Sequence, residues 1–140
     1  MTDEYSDDFL RDVLQRVRRV AVVGMSPNQA RPSNYVAAFL ARKGYQIYPV
    51  NPGHAGKIWH GAKVYPSLGE IPVAVDMVDI FRRSDAVPGV VDEALAACER
   101  LDVIWMQLGV MHDGAAQIAR ARGVTVIQDR CPMIEHPRLL

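Results

Sequence analysis

The sequence predicts an α/β fold, in which a parallel sheet of about five strands is covered by helices on both faces. Short apolar runs alternate along the chain with segments of helical periodicity, the order typical of strands joined by crossover helices. The first apolar run, Val20–Val23, ends at Gly24 and opens into a polar loop before a helix signal at Ser33. This strand–loop–helix entry is typical of domains that bind a phosphate at a helix N-terminus.

An N-terminal helix precedes the sheet. In residues 8–19 the apolar residues recur at helical spacing, and Ser6 or Asp7 is in position to cap the helix. Val20–Val23 is a continuous apolar run, which favours a strand buried on both faces. A loop with two prolines, residues 24–32, then leads to the second helix.

The second helix and strand are marked by their ends. Ser33 has the side chain of an N-cap, and Gly44 is placed to end the helix. Gln46–Val50 is the second predicted strand. The glycine-rich residues 51–61 are expected to form a loop, and Lys63–Tyr65 a short extended piece.

Three more strands and two helices complete the predicted sheet. Apolar runs predict strands at Val73–Phe81, Asp102–Leu108 and Val124–Ile127. Helical periodicity predicts helices at Ala86–Arg100, which has a proline in its first turn, and at Asp113–Arg122, which a glycine follows. All of these elements are expected to belong to one domain, residues 1–140.

Composition limits the possible partners. The 140 residues are 49% hydrophobic and 23% charged, and sixteen basic residues balance sixteen acidic ones. We therefore expect no bulk attraction to nucleic acid or to an anionic membrane, so any anion must be bound by a local group of basic residues. No apolar run approaches the roughly 18–20 residues of a membrane span. The acidic start and the two cysteines favour a cytoplasmic protein without a disulfide framework.

In open parallel sheets, ligands bind beyond the carboxyl ends of the strands. Five segments of this sequence occupy such positions. They are Gly24–Ser33, Asn51–Gly61, Phe81–Asp85, Gln107–Asp113 and Gln128–Cys131. The polar groups of these segments are expected to converge on one edge of the sheet.

The first of these segments has the groups that bind phosphate. Gly24 allows a close backbone approach, the hydroxyls of Ser26 and Ser33 can donate hydrogen bonds, and Arg31 presents a charged fork. The segment lacks the second and third glycines of the G-x-G-x-x-G dinucleotide fingerprint. The alternative is an ordinary long loop.

The second segment has Asn51 where a dinucleotide-binding domain places the acid that binds the ribose. This substitution argues against NAD. Lys57 is able to neutralise a phosphate, although a lone lysine is more often a solvated surface residue. His54 and His60 have no acidic or cysteine partner nearby in the sequence, so no metal site is expected.

The third segment places two arginines directly after a predicted strand. Arg82 and Arg83 are an anion-binding feature, and Phe81 offers an apolar wall for a nucleotide base. Alternatively, Arg83 forms an ion pair with Asp85 or Asp79. We expect at least one of the two arginines to contact a ligand.

The last two segments offer contacts and two candidate reactive groups. Gln107 and Gly109 are able to contact a ligand through the side chain or the backbone. His112 precedes a helix that Asp113 is expected to cap, and no acid or nucleophile that would make this histidine catalytic is evident. Cys131 is expected to be a buried structural cysteine. A reactive thiol, activated by the adjacent arginine, is the alternative.

Taken together, the segments carry five motifs in order along nearly the whole chain. They are Val22-Val-Gly-Met-Ser26 followed by Arg31-Pro-Ser33, Tyr48-Pro-Val-Asn-Pro52, Asp79-Ile-Phe-Arg-Arg-Ser84, Trp105-Met-Gln-Leu-Gly-Val110, and Asp129-Arg-Cys131. In these motifs the chain resembles the CoA-binding domain family, especially its small single-domain bacterial members. It more distantly resembles the N-terminal domain of succinyl-CoA synthetase α subunits.

The resemblance implies a Rossmann-like, doubly wound fold that binds coenzyme A. It implies that Gly24, Ser26, Arg31 and Ser33 hold phosphates. It also implies that Asn51, Pro52 and Lys57 border the nucleotide and that Phe81 and Arg82 lie at its adenine or ribose side. By the same resemblance, Gln107 and Gly109 line the other wall. The synthetases act through a phosphohistidine on a further domain, and no histidine of this sequence matches it. The leading hypothesis is therefore a non-catalytic module for CoA or acyl-CoA. The alternatives are a CoA-thioester enzyme that uses Cys131 or His112, and an NAD-type redox sensor.

Overall fold

The computed structural model describes residues 4–140. Its strands are β1 (Arg19–Val23), β2 (Gln46–Val50), β3 (Ile58–Trp59), β4 (Ala62–Lys63), β5 (Met77–Ile80), β6 (Val103–Met106) and β7 (Thr125–Ile127). Its α-helices are α1 (Asp7–Arg16), α2 (Pro32–Arg42), α3 (Val87–Ala97), α4 (Asp113–Ala121) and α5 (Pro132–Leu139).

Five of the strands form one parallel sheet in the order β2-β1-β5-β6-β7. The order reverses direction between β1 and β5, and ligands bind at such a switch point in open α/β sheets. The predicted Rossmann-like fold, with an N-terminal helix and helices on both faces, is therefore confirmed.

Side chains that alternate along each strand build two separate cores. On one face, Val22 and Trp105 pack with buried residues of α1, α2 and α5. On the other face, Ala21 and Ile104 pack with α3 and α4. Because side chains of a strand alternate between the two faces, residues two positions apart share a core. This alternation decides which strand-end residues lie on the same side as α2 and α5.

The first helix ends at Arg16, whereas the periodicity predicted that it ends at residue 19. Ser6 caps it as expected, accepting a hydrogen bond from Phe9 N at 3.1 Å. The Asp76 carboxylate accepts hydrogen bonds from Arg18 N and Arg19 N, at 3.1 Å and 2.9 Å. These backbone donors are therefore not available to extend the helix, and Arg19 starts β1 instead. The other predicted helices and strands are present with ends shifted by a few residues.

The predicted cap of the second helix is wrong. Arg31 occupies the N-cap position of α2 without a side-chain capping bond, and Pro32 is the first helical residue. Proline is well suited to this position because its fixed φ angle matches the helix and its missing N–H would have had no helical acceptor. Ser33 lies inside the first turn, where its hydroxyl has another role.

Two elements were not predicted from the sequence. The first is a small hairpin of β3 and β4, whose turn has positive φ angles at His60 (45°) and Gly61 (81°). The second is α5, an eight-residue helix that packs against α1 and α2 and contains Pro137. No helix within residues 4–140 is long and apolar enough to cross a membrane.

Candidate functional site

The loop after β1 begins with a glycine that cannot be replaced without strain. Gly24 has a φ of +90°, and a Cβ atom built on it would lie 2.4 Å from the carbonyl oxygen of Phe81. The Gly24 N–H donates to Val50 O at 2.9 Å. The residue thus lets the ends of β1, β2 and β5 approach one another closely.

Hydrogen bonds within the loop fix its course to α2. Ser33 Oγ accepts from Ser26 N at 2.9 Å, and Asn34 Nδ2 donates to Ser26 O at 2.9 Å. Ser26 Oγ in turn accepts from Asn28 N at 3.1 Å. The two serines predicted to bind phosphate therefore also shape the loop, and both border the cleft described below.

The Asn51 side chain connects the end of β2 to the same loop by a hydrogen bond. Its Nδ2 donates to Met25 O at 2.8 Å, and its Oδ1 accepts from Gly53 N at 2.9 Å. One side chain thus supplies a donor and an acceptor at the same time, which an ionised aspartate cannot do. This pair of contacts gives a structural reason for an asparagine at the position of the ribose-binding acid.

A cleft of about 860 Å³ lies over the ends of β1, β5 and β6 and against α2 and α5. This volume falls in the range of ligand pockets, roughly 300–1,000 Å³. Eight predicted site residues line it: Gly24, Ser26, Arg31, Ser33, Phe81, Arg82, Arg83 and Gln107. With Cys131, which also borders the cleft, the structure therefore brings together residues from four of the five predicted segments on the face of α2 and α5.

One side of the cleft is cationic. Arg31, Arg82 and Arg83 are exposed there, and the described residues that line the cleft include no acid. Arg83 Nε lies 3.4 Å from Asp85 Oδ1, but both side chains are more than 70% exposed, so this pair constrains Arg83 little. The first turn of α2 contains no acidic residue either. The positive end of its helix dipole therefore adds to the attraction for an anion.

The other side of the cleft is apolar, and the sequence patterns did not predict it. Exposed Leu108, Met133 and Ile134 line it together with buried Val110. Two of these residues belong to α5, which was not predicted. The only sequence signal was the Cys-Pro pair before them, because proline is common at the first position of a helix.

Four predicted site residues lie outside the lining of this cleft. Lys57 borders a separate cavity of about 260 Å³ under the hairpin, with its Nζ 3.0 Å from His54 Nδ1. Pro52 begins a short 3₁₀ turn, and Asn51 holds the loop. Gly109 donates its N–H to Asp129 Oδ1 at 2.7 Å. Any contact of these residues with a ligand remains a prediction.

The two candidate reactive groups are not brought together in the cleft. His112 lies outside the cleft lining and is itself the N-cap of α4, with Nδ1 accepting from Ala115 N at 3.0 Å. The prediction that Asp113 caps this helix is therefore wrong. Cys131 is buried, as predicted, and borders the cleft. Cys98 lies in the core, where burial raises the pKa of its thiol to about 11.

Two side chains near the ends of β5 and β6 are polar and buried. Asp79 is fully buried, and neither of its carboxyl oxygens has a hydrogen-bond partner in residues 4–140. Burial raises the pKa of this carboxyl well above its ordinary value. Gln107 Oε1 is also buried without a partner in the same part of the chain. The same residues contain no cluster of histidine, cysteine or acidic side chains suited to a metal ion.

The fold and the cleft define a Rossmann-like domain that presents arginines and a helix N-terminus at its switch point. Residues 18–137 match the family model described as the CoA binding domain. The chain belongs to this family.

Relatives of the chain are of two sizes. YneT of Bacillus subtilis, an uncharacterized protein, is 39% identical over 127 residues, which are 91% of each chain. A Thermus thermophilus protein of solved structure is 34% identical, with a TM-score of 0.91, covering 97% of this chain and 100% of its own. The ADP-forming acetate–CoA ligase II of Archaeoglobus fulgidus is 39% identical over 98 residues, 68% of this chain but only 13% of the ligase. The chain is thus homologous to the CoA-binding part of such synthetases.

Proposed function

We propose that the protein binds coenzyme A or an acyl-CoA in the cleft and acts as a binding module without chemistry of its own. The observation that carries the proposal is the division of the cleft into a cationic and an apolar side. CoA has the matching division, because its nucleotide end carries phosphates and its other end is an uncharged pantetheine arm with a thiol. The larger relatives are acetate–CoA ligases, which also supports CoA as the ligand.

The order of the strands suggests how the ligand lies. Arg31 is the N-cap of α2 and Arg82 follows β5, whereas Leu108 follows β6 and Ile134 lies on α5. The phosphates are then held by the arginines and the N-terminus of α2. The pantetheine arm runs across the end of β6 toward the apolar side. Phe81, between the two sides, packs against the nucleotide.

Two alternatives receive less support. NAD would find no acid for its ribose at the end of β2, where Asn51 instead forms two hydrogen bonds to the backbone. A thioester enzyme needs a nucleophile and a base within hydrogen-bond reach. Cys131 borders the cleft, but His112 caps α4 outside it. We place the module in the cytoplasm, since both cysteines are free and disulfides are rare there.

Replacing Arg31 tests the phosphate-binding side. Within residues 4–140 its side chain forms no ion pair or hydrogen bond, and it borders the cleft. We therefore expect Arg31→Ala to weaken CoA binding by about 1.5–3 kcal/mol, the loss of a charge-assisted hydrogen bond, with little effect on folding. Isothermal titration calorimetry with CoA measures this difference.

Arg122→Ala is the matched control for Arg31→Ala. Arg122 is also exposed, but it ends α4 at the opposite edge of the sheet. This variant is expected to bind CoA like the unmodified protein. Equal affinity for CoA in the Arg31 variant and the unmodified protein would remove Arg31 from the site.

A further inference from the structure

The buried carboxyl of Asp79 lies directly below the base of the cleft. On β5 its register partners are Val22 of β1 and Trp105 of β6. One step further along the same face, the corresponding positions are Gly24, Phe81 and Gln107, and all three line the cleft. Asp79 therefore lies beneath the three residues that form the base of the cleft, and these residues shield it from solvent.

Gln107 is the nearest polar residue on the same face of the neighbouring strand. Its N–H donates to Ile80 O at 3.2 Å, which fixes its register beside β5. With a strand spacing of about 4.8 Å and a rise of about 3.3 Å per residue, the Cα atoms of Asp79 and Gln107 are roughly 8 Å apart. The two side chains are long enough to meet across this diagonal.

Within the described part of the chain, one of these two side chains lacks a hydrogen-bond acceptor, and the other lacks a hydrogen-bond donor. An ionised, unpaired carboxylate is costly in a dry interior, so the neutral acid is favoured, and it has one O–H to donate. Gln107 Oε1 is a buried acceptor without a partner in residues 4–140. Buried polar groups in native proteins are nearly always hydrogen-bonded. A bond between the two side chains satisfies both.

We propose that the Asp79 carboxyl group donates a hydrogen bond to Gln107 Oε1 and thereby directs Gln107 Nε2 into the cleft, to bind a carbonyl oxygen of the ligand. The ligand contact rests on the proposed function, whereas the pairing of the two side chains does not. Carbonyl oxygens occur in the pantetheine amides and in the thioester of an acyl-CoA, but a phosphate group has none. Asp79 is then a positioning residue, and Gln107 recognises the pantetheine or acyl part of the ligand.

Binding of CoA to variants at position 79 tests the ligand contact. Asp79→Asn retains an N–H donor for Gln107 Oε1, so CoA should bind as it does to the unmodified protein. Asp79→Leu retains a similar size without a donor, and its affinity should fall roughly three- to tenfold. The Gln107→Leu variant should show a similar fall, and the double variant Asp79→Leu, Gln107→Leu should show no further loss. Additive losses, or an Asp79→Leu variant with unchanged affinity, would overturn the proposed ligand contact.

The pairing itself is tested without ligand by NMR of the Gln107 side-chain amide. Its two N–H resonances should shift in Asp79→Leu and move little in Asp79→Asn, because only the leucine removes the donor. Resonances that stay in place in a folded Asp79→Leu variant would overturn the pairing. If the unmodified protein fails to bind CoA while the amide resonances shift as expected, the proposed function fails and the pairing stands.

Discussion

Replacing Gly24 by alanine is expected to destabilise the protein by roughly 2–4 kcal/mol. The new Cβ would lie 2.4 Å from the Phe81 carbonyl oxygen, a backbone atom that can move only if the ends of β1 and β5 separate. Overpacking of this kind typically costs about 1–3 kcal/mol, and a non-glycine residue at positive φ adds about 1 kcal/mol. Urea denaturation of both proteins measures the difference. The folded fraction should also bind CoA more weakly, because Phe81 and Arg82 are displaced.

A substitution at a second glycine distinguishes the steric clash from the backbone strain. Gly123 has a similar φ of +82°, but a Cβ atom at that position would have no neighbour within 4 Å. Gly123→Ala therefore carries the backbone strain without the clash and should cost only about 1 kcal/mol. Equal losses in the two variants would show that the close approach of β1 to β5 is unimportant.

Replacing Asp79 by asparagine is expected to change how stability depends on pH. Because burial raises the pKa of Asp79, the folded protein keeps this proton to a higher pH than the unfolded chain does. The stability contributed by this group is fully present below its unfolded-state pKa of about 3.9, and it is lost as pH rises toward the folded-state pKa. Each pH unit in this window lowers the unfolding free energy by about 1.4 kcal/mol.

The asparagine side chain of the Asp79→Asn variant has no titrating proton, so this loss should be absent from the variant. Urea denaturation of both proteins at pH 5, 6 and 7 should give an unfolding free-energy difference that grows in favour of the variant over the part of this range that lies below the folded-state pKa of Asp79. Other titrating groups contribute to both proteins and cancel in the difference. A constant difference across the three pH values would mean that Asp79 is ionised in the folded protein.

The sheet was predictable because its physical signals are local. Each strand is a short apolar run, and the helices α1 and α4 show apolar residues at helical spacing. The two missed elements lack such signals. The strands of the hairpin have two residues each, and α5 has only eight residues, with prolines at two of them. Its stability comes from packing against α1 and α2, which no local pattern reveals.

The position of the cleft was predictable as far as it follows from the order of the strands in the sheet. Strand order places the loops after β1, β5 and β6 side by side, so Arg31, Arg82 and Gln107 meet there. Lys57 does not lie with them, because it directly precedes the β3–β4 hairpin and borders a separate cavity together with His54. The use of the Asn51 amide to hold the loop depends on side-chain geometry that the sequence alone does not contain.

The central claim is that the cleft binds CoA in preference to a nicotinamide dinucleotide. Calorimetric titration of the purified protein with CoA and, separately, with NAD tests it most directly. We predict saturable binding of CoA and no measurable binding of NAD. Two features carry this prediction: the three arginines bordering the cleft and the engagement of Asn51 with backbone atoms. Tighter binding of NAD than of CoA would contradict the claim.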